Sequence, residues 1–378
     1  MCRPGQNGGM DARVEDRPWG RPDPAVARTR LAVRHALRRL RQEAEQDPGA
    51  SARVSTDECS GRDPAANSVA GSAPLVLAAL SGGADSLALA AALAFEAERA
   101  GVRAGAVVVD HGLQTGSEAV ADRAATQAAT LGLDPVLVRR VSVPADDPSG
   151  PEAAARAARY AALEAARTEF DAAAVLTGHT RDDQAEQVLL ALARGSGTRA
   201  VAGIPPERGA ILRPLLGVSR ETTEQACAAQ GLEPWRDPHN SDAAYTRVRV
   251  RERILPLLER ELGPGVAANL ARSAELARED ADALDALAED AYRSALGEGD
   301  ADRHGVRQLD VAALLRLPLA LRHRVIRRAA HAALGVRLGR DHTLAVAALA
   351  ADWRGQGPIH LPGGAAQRTE SRIVFTQG

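Results

Sequence analysis

The six residues Ser81-Gly82-Gly83-Ala84-Asp85-Ser86 place two hydroxyls, two adjacent glycines and a carboxylate between the apolar run LVLAAL and an Ala/Leu-rich stretch. Adjacent glycines let a backbone turn tightly and bring its amides close to a ligand. A helix that starts at such a turn offers unpaired N–H groups and the positive end of its dipole, so an anion belongs there. Asp85 beside an anion is a conflict that a divalent cation would resolve, and magnesium suits a carboxylate combined with phosphate oxygens. The bland alternative is a tight turn in which Asp85 or Ser86 only caps the helix. No GxxxxGK[ST] or GxGxxG string occurs, which excludes a Walker-type loop and a dinucleotide fingerprint.

Two further strings follow apolar runs. One is Asp110-His111-Gly112-Leu113-Gln114-Thr115-Gly116-Ser117, and the other runs from Thr177-Gly178-His179-Thr180 through Arg181, Asp182, Asp183 and Gln184 to Glu186. A helix that opens near Arg181 puts Asp182 and Glu186, four apart, on one face, with Asp183 one step round. First-turn carboxylates also complement a helix dipole, and a histidine at a strand end is commonly structural. Three acids and a histidine opening one helix at one cleft say more. Such a group can hold magnesium or receive a cationic substrate.

These residues need elements to position them. The runs at 75–80, 104–110, 135–143, 171–178 and 208–216 alternate with helical stretches beginning near Ser86, Ser117, Pro151, Arg181 and Ser219. That alternation predicts an α/β domain with a doubly wound parallel sheet over 74–244. Such sheets bind ligands outside the carboxyl ends of their strands, at a topological switch point, so the loops after residues 80, 110 and 178 should share one cleft. Before this domain, residues 1–73 read as an N-terminal extension, disordered apart from one amphipathic helix near 25–45. After it, a linker helix and a small helical domain are expected over 245–350, then a C-terminal tail, 351–378, with a strand pair in IHLPGG and RIVFTQ.

The chain's 378 residues, 45% of them hydrophobic and 25% charged, bury a sizeable core without staples. At 2% aromatic, that core must be filled by Ala, Leu and Val. All 47 basic residues are arginine, and the net charge of -2 neither requires nor excludes a nucleic-acid partner. Cys2, Cys59 and Cys227 lie far apart with no CxxC, which argues against a zinc cluster, a redox pair or a disulfide framework. Without an apolar run of membrane length or a secretory h-region, the expected compartment is the cytoplasm and no membrane partner is expected.

The SGGADS string resembles the SGGxDS loop of the PP-loop ATP pyrophosphatases, which have an adenine nucleotide alpha hydrolase-like fold. Taken with VVDHGLQTGS, PEAAARAARYAAL, GHTRDDQAEQVLLALARGSG, ILRPLLGVSRE and WRDPHNSDAAYTRVRVRERILPLL, the chain resembles the tRNA(Ile)-lysidine synthetase family over roughly residues 75–350. The resemblance implies an enzyme that adenylates the C2 carbonyl oxygen of the wobble cytidine in a tRNA(Ile) with a CAU anticodon. The ε-amino group of free L-lysine then attacks C2 and expels AMP. It also implies that the region after the sheet is a substrate-binding domain, and it allows a homodimer. By the match, Ser81, Gly82, Gly83, Ala84, Asp85 and Ser86 would hold ATP and magnesium, with His111, His179 and Arg213 beside them. Asp182, Asp183 and Glu186 would form an acidic pocket for metal, lysine recognition or deprotonation, Asp85 and Asp182 being the metal candidates.

Arginine clusters supply the RNA argument. Arg156 and Arg159 sit three apart on the PEAAARAARY helix with Tyr160 beside them, while Arg247, Arg249, Arg251 and Arg253 form one cluster and Arg322, Arg324, Arg327 and Arg328 another. Arg156, Arg159, Arg247 and Arg251 are the tRNA-binding candidates, although a charge run is often only a solvated helix face. Gln114, Gln187 and Arg247-Val248 depart from the family's usual residues, which bears on RNA contacts more than on activity. Another PP-loop enzyme, a tRNA thiolase or an amide-forming NAD synthetase, is the first alternative. Thiolation of that type needs a cysteine pair, and only Cys227 falls in the catalytic region. An inactive tRNA-binding protein is the second, against which the intact loop and acids stand.

Overall fold

The computed structural model describes residues 22–46, 73–110, 112, 116–142, 150–235, 237, 244–296 and 306–378. They form two units, one containing residues up to 190 and 204–271, the other 191–203 and 272–378. His111, Gln114, Cys2 and Cys59 lie outside the described residues, as do most of the extension's residues on either side of its helix.

In the first unit, β1 (Leu75–Leu80), β2 (Arg103–Asp110), β3 (Val136–Arg140) and β4 (Ala172–Leu176) are parallel, and β5 (Glu207–Arg208) pairs antiparallel with β6 (Ile211–Leu212). The sheet order is β3-β2-β1-β4-β6-β5, so the winding reverses between β1 and β4. The loops leaving those two strands therefore open one crevice. β1 is buried along nearly its whole length, as expected of a strand covered on both faces. The run at 208–216 yields less strand than its apolarity suggests. It stops at Leu212 because Pro214 has no N–H for a ladder, and a 3-10 turn at Pro214–Gly217 follows.

Helix α1 (Pro24–Gln46) belongs to this unit's core rather than to a separate extension. Its Val33 and Leu37 are fully buried in a cluster with Leu87, Leu89 and Leu93 of α2 (Ala84–Ala100) and Ala226 and Cys227 of α7 (Arg220–Ala229). Arg34 also donates to both carboxylate oxygens of buried Glu96 at 2.8 Å. α3 (Ser117–Thr130) adds Ala121, Ala124 and Ala128 to the same cluster. The opposite sheet face packs Leu75, Leu77, Val107 and Val175 against Leu163 and Ala166 of α4 (Pro151–Glu169). α5 (Arg181–Ala193) follows β4, and its Ala185 and Leu190 pack with Val250 and Leu255. Val250 lies in a π-helical turn (Val250–Ile254) and Leu255 in α9 (Leu255–Leu262), and both run on without a break from α8 (Thr246–Arg249).

α6 (Thr198–Val201) belongs to the second unit, and α10 (Val266–Ala295) crosses the boundary at residue 271. The expectation of a purely helical domain followed by a tail needs correction. β7 (Val306–Asp310), β8 (Ile359–Leu361), β9 (Gly364–Thr369) and β10 (Arg372–Gln377) form one antiparallel sheet in the order β7-β10-β9-β8. Residues 351–378 are part of its fold, since Ile373 and Phe375 of β10 are fully buried. They pack with Leu314 of α11 (Val311–Arg316), Val325 and Ile326 of α12 (Leu319–Leu334) and Leu349 of α13 (Arg340–Ala351). Among the described residues no helix is long and apolar enough to cross a membrane.

Candidate active site

The crevice between β1 and β4 holds a cavity of about 1000 Å³, at the upper end of ordinary ligand pockets. Ser81, Gly83, Ala84, Asp85 and Ser86 line it. Gly82 has φ +82, which its missing Cβ permits, and its carbonyl accepts the Trp235 N–H at 2.9 Å, tying the wall segment Pro234–Trp235 to the loop. The loop is braced internally. The Ser86 hydroxyl donates to Gly83 O at 2.9 Å and accepts the Ser81 N–H at 3.2 Å. Gly83, the residue preceding α2, makes no side-chain cap bond. The residues opening α2 thus line the cavity with no side chain capping the helix, which is the requirement for an anion there.

Gly178 brings the β4 loop against the first turn of α2. A Cβ on it would lie 3.0 Å from the Asp85 carbonyl carbon and the Ser86 nitrogen, backbone atoms that cannot swing aside. His179, next along, lines the cavity with Nδ1 3.0 Å from Thr177 Oγ1. Burial, opposed by Asp183, lowers its pKa to about 3, so it is a neutral ring at any physiological pH.

Arg220 and the acids form one lattice. Asp183 Oδ2 accepts the Thr180 N–H at 2.7 Å and its hydroxyl at 3.0 Å, the reach-back half of a capping box. Its Oδ1 accepts from Arg220 at 3.2 Å and Arg247 at 3.1 Å. Burial pushes the Asp183 carboxyl up, but Arg220, Arg247 and the Thr180 N–H outweigh it and hold it below the ordinary range. Glu186 is wholly buried and accepts from three arginines, Arg220 at 3.3 Å, Arg247 at 2.7 Å and Arg251 at 2.7 and 3.2 Å. Asp182 accepts the Arg220 backbone N–H at 2.8 Å. Asp85 accepts from the Thr223 hydroxyl and lies 3.6 Å from Arg220 Nε. Its burial outweighs both partners and pushes its carboxyl up to about 6.

Of the acids singled out in the sequence, Asp85 and Asp183 line the cavity, whereas Asp182 and Glu186 stand behind its wall. Among the described residues no group of three or more His, Cys, Asp or Glu side chains is arranged to hold a metal. A single carboxylate shared with phosphate oxygens still fits magnesium, which keeps most of its other ligands as water. Arg251 and Arg159 line the cavity, but Arg247 and Arg156 do not. Arg213 is buried outside the wall and donates to Pro205 O at 2.9 Å and the Tyr160 hydroxyl at 3.2 Å.

The family of the PP-loop domain matches residues 64–258, and that of the TilS substrate binding domain matches residues 309–374. The tRNA(Ile)-lysidine synthase of Leifsonia xyli is 58% identical over 80% of this chain and 89% of its own length. Those of Thermobifida fusca and Streptomyces coelicolor are each 50% identical over 94% of this chain, and over 98% and 99% of their own lengths. The chain belongs to the tRNA(Ile)-lysidine synthase family. The PP-loop domain implies ATP binding, and the second unit carries the family's substrate-binding fold.

Sequence reasoning missed three residues of this candidate site. Arg220 touches every acid of the group, Thr223 orients Asp85, and Gly178 sets the approach of two loops. Arg220 carries a legible signal. It is the first residue of a helix, where a cation opposes the dipole, so acids had to be near.

Proposed function

We propose that this cavity performs both half-reactions of lysidine formation on a tRNA(Ile) with a CAU anticodon. The reading is carried by one observation, that the uncapped amides opening α2, Asp85, Asp183 and His179 share one wall. In the first half-reaction the cytidine C2 carbonyl oxygen attacks the α-phosphorus of ATP, an O–P bond forms and pyrophosphate leaves. The amides of the Ser81–Ser86 loop hold the pyrophosphate portion. Asp85 is the carboxylate placed to hold magnesium, which would neutralise charge on the leaving pyrophosphate. In the second, the lysine ε-nitrogen attacks C2 and the C2–O bond breaks with AMP as leaving group. The amine proton passes to a carboxylate of the wall and on to solvent.

Free lysine enters as an ammonium, since its side chain has a pKa of about 10.4. Asp183, ionised and facing the cavity, is the group suited to steer it. Arg159 lines the same wall and, among the described residues, makes no ion pair with a carboxylate, which suits it to a phosphate of the tRNA. These substrates belong to the cytoplasm. The test follows labelled lysine into a tRNA(Ile) transcript with a CAU anticodon, in the presence of ATP and magnesium. Label is expected only with ATP, and none with a cytidine-to-uridine wobble variant. Pyrophosphate release without labelled RNA would mean a different nucleophile, and neither signal would mean a binding protein.

A further inference from the structure

We propose that Arg220 is an internal competitor for the cationic substrate, and that its exchange between carboxylates and triphosphate makes lysine binding depend on ATP. The inference rests on the reading of Asp183 as the group that steers lysine.

Arg220 contacts all four acids of the site. Its backbone N–H is held by Asp182 at 2.8 Å, and its guanidinium spreads over Asp183 at 3.2 Å, Glu186 at 3.3 Å and Asp85 at 3.6 Å. Those side-chain distances exceed the 2.7 Å at which Arg247 and Arg251 each hold Glu186. A charge-assisted N–H···O bond in good geometry is about 2.7–2.9 Å, so Arg220 is shared among three acids without a short bond to any one of them. It also lines the cavity, as Arg251 does and Arg247 does not.

Three arginines thus meet the three carboxylates Asp85, Asp183 and Glu186, so an ammonium that uses Asp183 meets prior partners there, whereas Asp182 accepts only a backbone N–H and Glu224 and Asp237 also line the cavity. An incoming ammonium meets Asp183 Oδ1 already shared by Arg220 at 3.2 Å and Arg247 at 3.1 Å, and of these two only Arg220 lines the cavity. A triphosphate on the amides of α2 offers Arg220 another anion close by, because Asp85, within 3.6 Å of its Nε, stands in the first turn of that helix. Arg220 sits at the start of α7, where its own helix dipole disfavours it, so a triphosphate would compete with the acids for this cation. Whichever ligand draws Arg220 off the acids favours the other, and the coupling is reciprocal. Arg220 is a positioning residue here, acting on lysine affinity through the acids.

The test is equilibrium dialysis of labelled lysine against the full chain, with and without the non-hydrolysable analogue AMPCPP and magnesium. The wild type should bind lysine at least about tenfold more tightly with the analogue. Arg220→Gln should bind lysine equally with and without it, and more tightly than the wild type alone. Arg220→Lys keeps the charge and should keep the coupling, so the proposal stays testable if the glutamine variant folds poorly. A wild type with no coupling, or a glutamine variant that retains it, overturns the inference alone. If AMPCPP binds but no form binds lysine, the lysine reading of the site falls and the inference falls with it.

Discussion

Residues 247–253 and 322–328 are equally dense in arginine, and from sequence they invite the same reading as phosphate-binding clusters. The fold separates them. In the PP-loop unit, Arg247 and Arg251 converge on Glu186, a carboxylate with no exposure to solvent. The π-helical turn at Val250–Ile254 carries Arg251 inside it, and Val250 and Leu255 pack it against α5. Insertions of this kind often mark functional segments. In the second unit, Arg324 and Arg328 reach Asp285 and Glu289, both partly open to water, and Arg322 donates to the carbonyls of Leu314, Leu315 and Leu317. Only Arg327 of that group is exposed with no acid partner among the described residues. Residue density therefore says little about what an arginine does. The burial of the acid it meets says much more, because removing one partner of a buried pair strands a charge, whereas exposed pairs contribute little.

The largest expected effect sharpens that contrast. Glu186→Gln leaves three guanidinium groups facing an amide and should destabilise the first unit by about 3 kcal/mol. For a unit of this size that corresponds to a fall in Tm of roughly 6–12 °C. Arg328→Ala, which breaks a pair at the surface, should cost under about 1 kcal/mol. Thermal and urea unfolding of the two variants read both values. Comparable costs would erase the distinction between the regions. By the same logic, an Arg247 and Arg251 double variant would lose stability before it reported on RNA.

An intermediate effect separates two acids within the lattice itself. Burial raises the Asp85 carboxyl from 3.8 to about 6, so the folded chain binds its proton more tightly. Its contribution to stability therefore falls as pH rises through that window. Asp183 has the opposite sign. Its folded pKa is depressed, so its stabilisation is complete above the ordinary carboxylate value and is lost as pH falls through the lowered one. If ionised Asp85 serves the reaction, kcat/KM for MgATP should fall about tenfold per pH unit below about 6. His179→Gln should leave that bend in place, because a histidine lowered to about 3 does not titrate there. Thr223→Val, which removes a donor to the ionised form, should move the bend upward. A bend that vanishes with His179 would assign the titration to the wrong group.

What the sequence made legible follows the reach of each signal. Continuous apolar runs ending in Gly, Ser or His marked β1, β2 and β4, and the loops at their carboxyl ends do meet at a switch point. β7 was not legible, because VRQLD has no sustained alternation and gains its pairing from β10, more than sixty residues later. The stripe of Val33 and Leu37 announced a helix, but nothing local could say that α2 and α7 would cover it. Spacing on α5 grouped the acids correctly, yet Glu186 finds its arginines 34 to 65 residues away, through tertiary packing alone. An acidic cluster in a sequence therefore does not imply an acidic pocket.

The smallest effect asks whether an unpaired arginine behaves differently from a paired one on the same helix. Arg327 and Arg328 are adjacent on α12 and both are exposed, but Arg328 donates to Glu289 at 2.8 Å and stacks 5.0 Å from the Tyr292 ring centroid. Replacing either by alanine removes one positive charge, so a purely global electrostatic effect on tRNA binding would be equal. If phosphate contact needs a guanidinium without a prior partner, Arg327→Ala should make the slope of log K against log salt shallower by about 1. Arg328→Ala should leave that slope nearly unchanged, since a guanidinium already held by an acid displaces few counterions. The measurement is tRNA affinity at four or more salt concentrations for both variants. Equal slopes would mean that pairing with an acid does not decide which arginines of the second unit meet RNA. The contrast between the two units would then rest on burial alone.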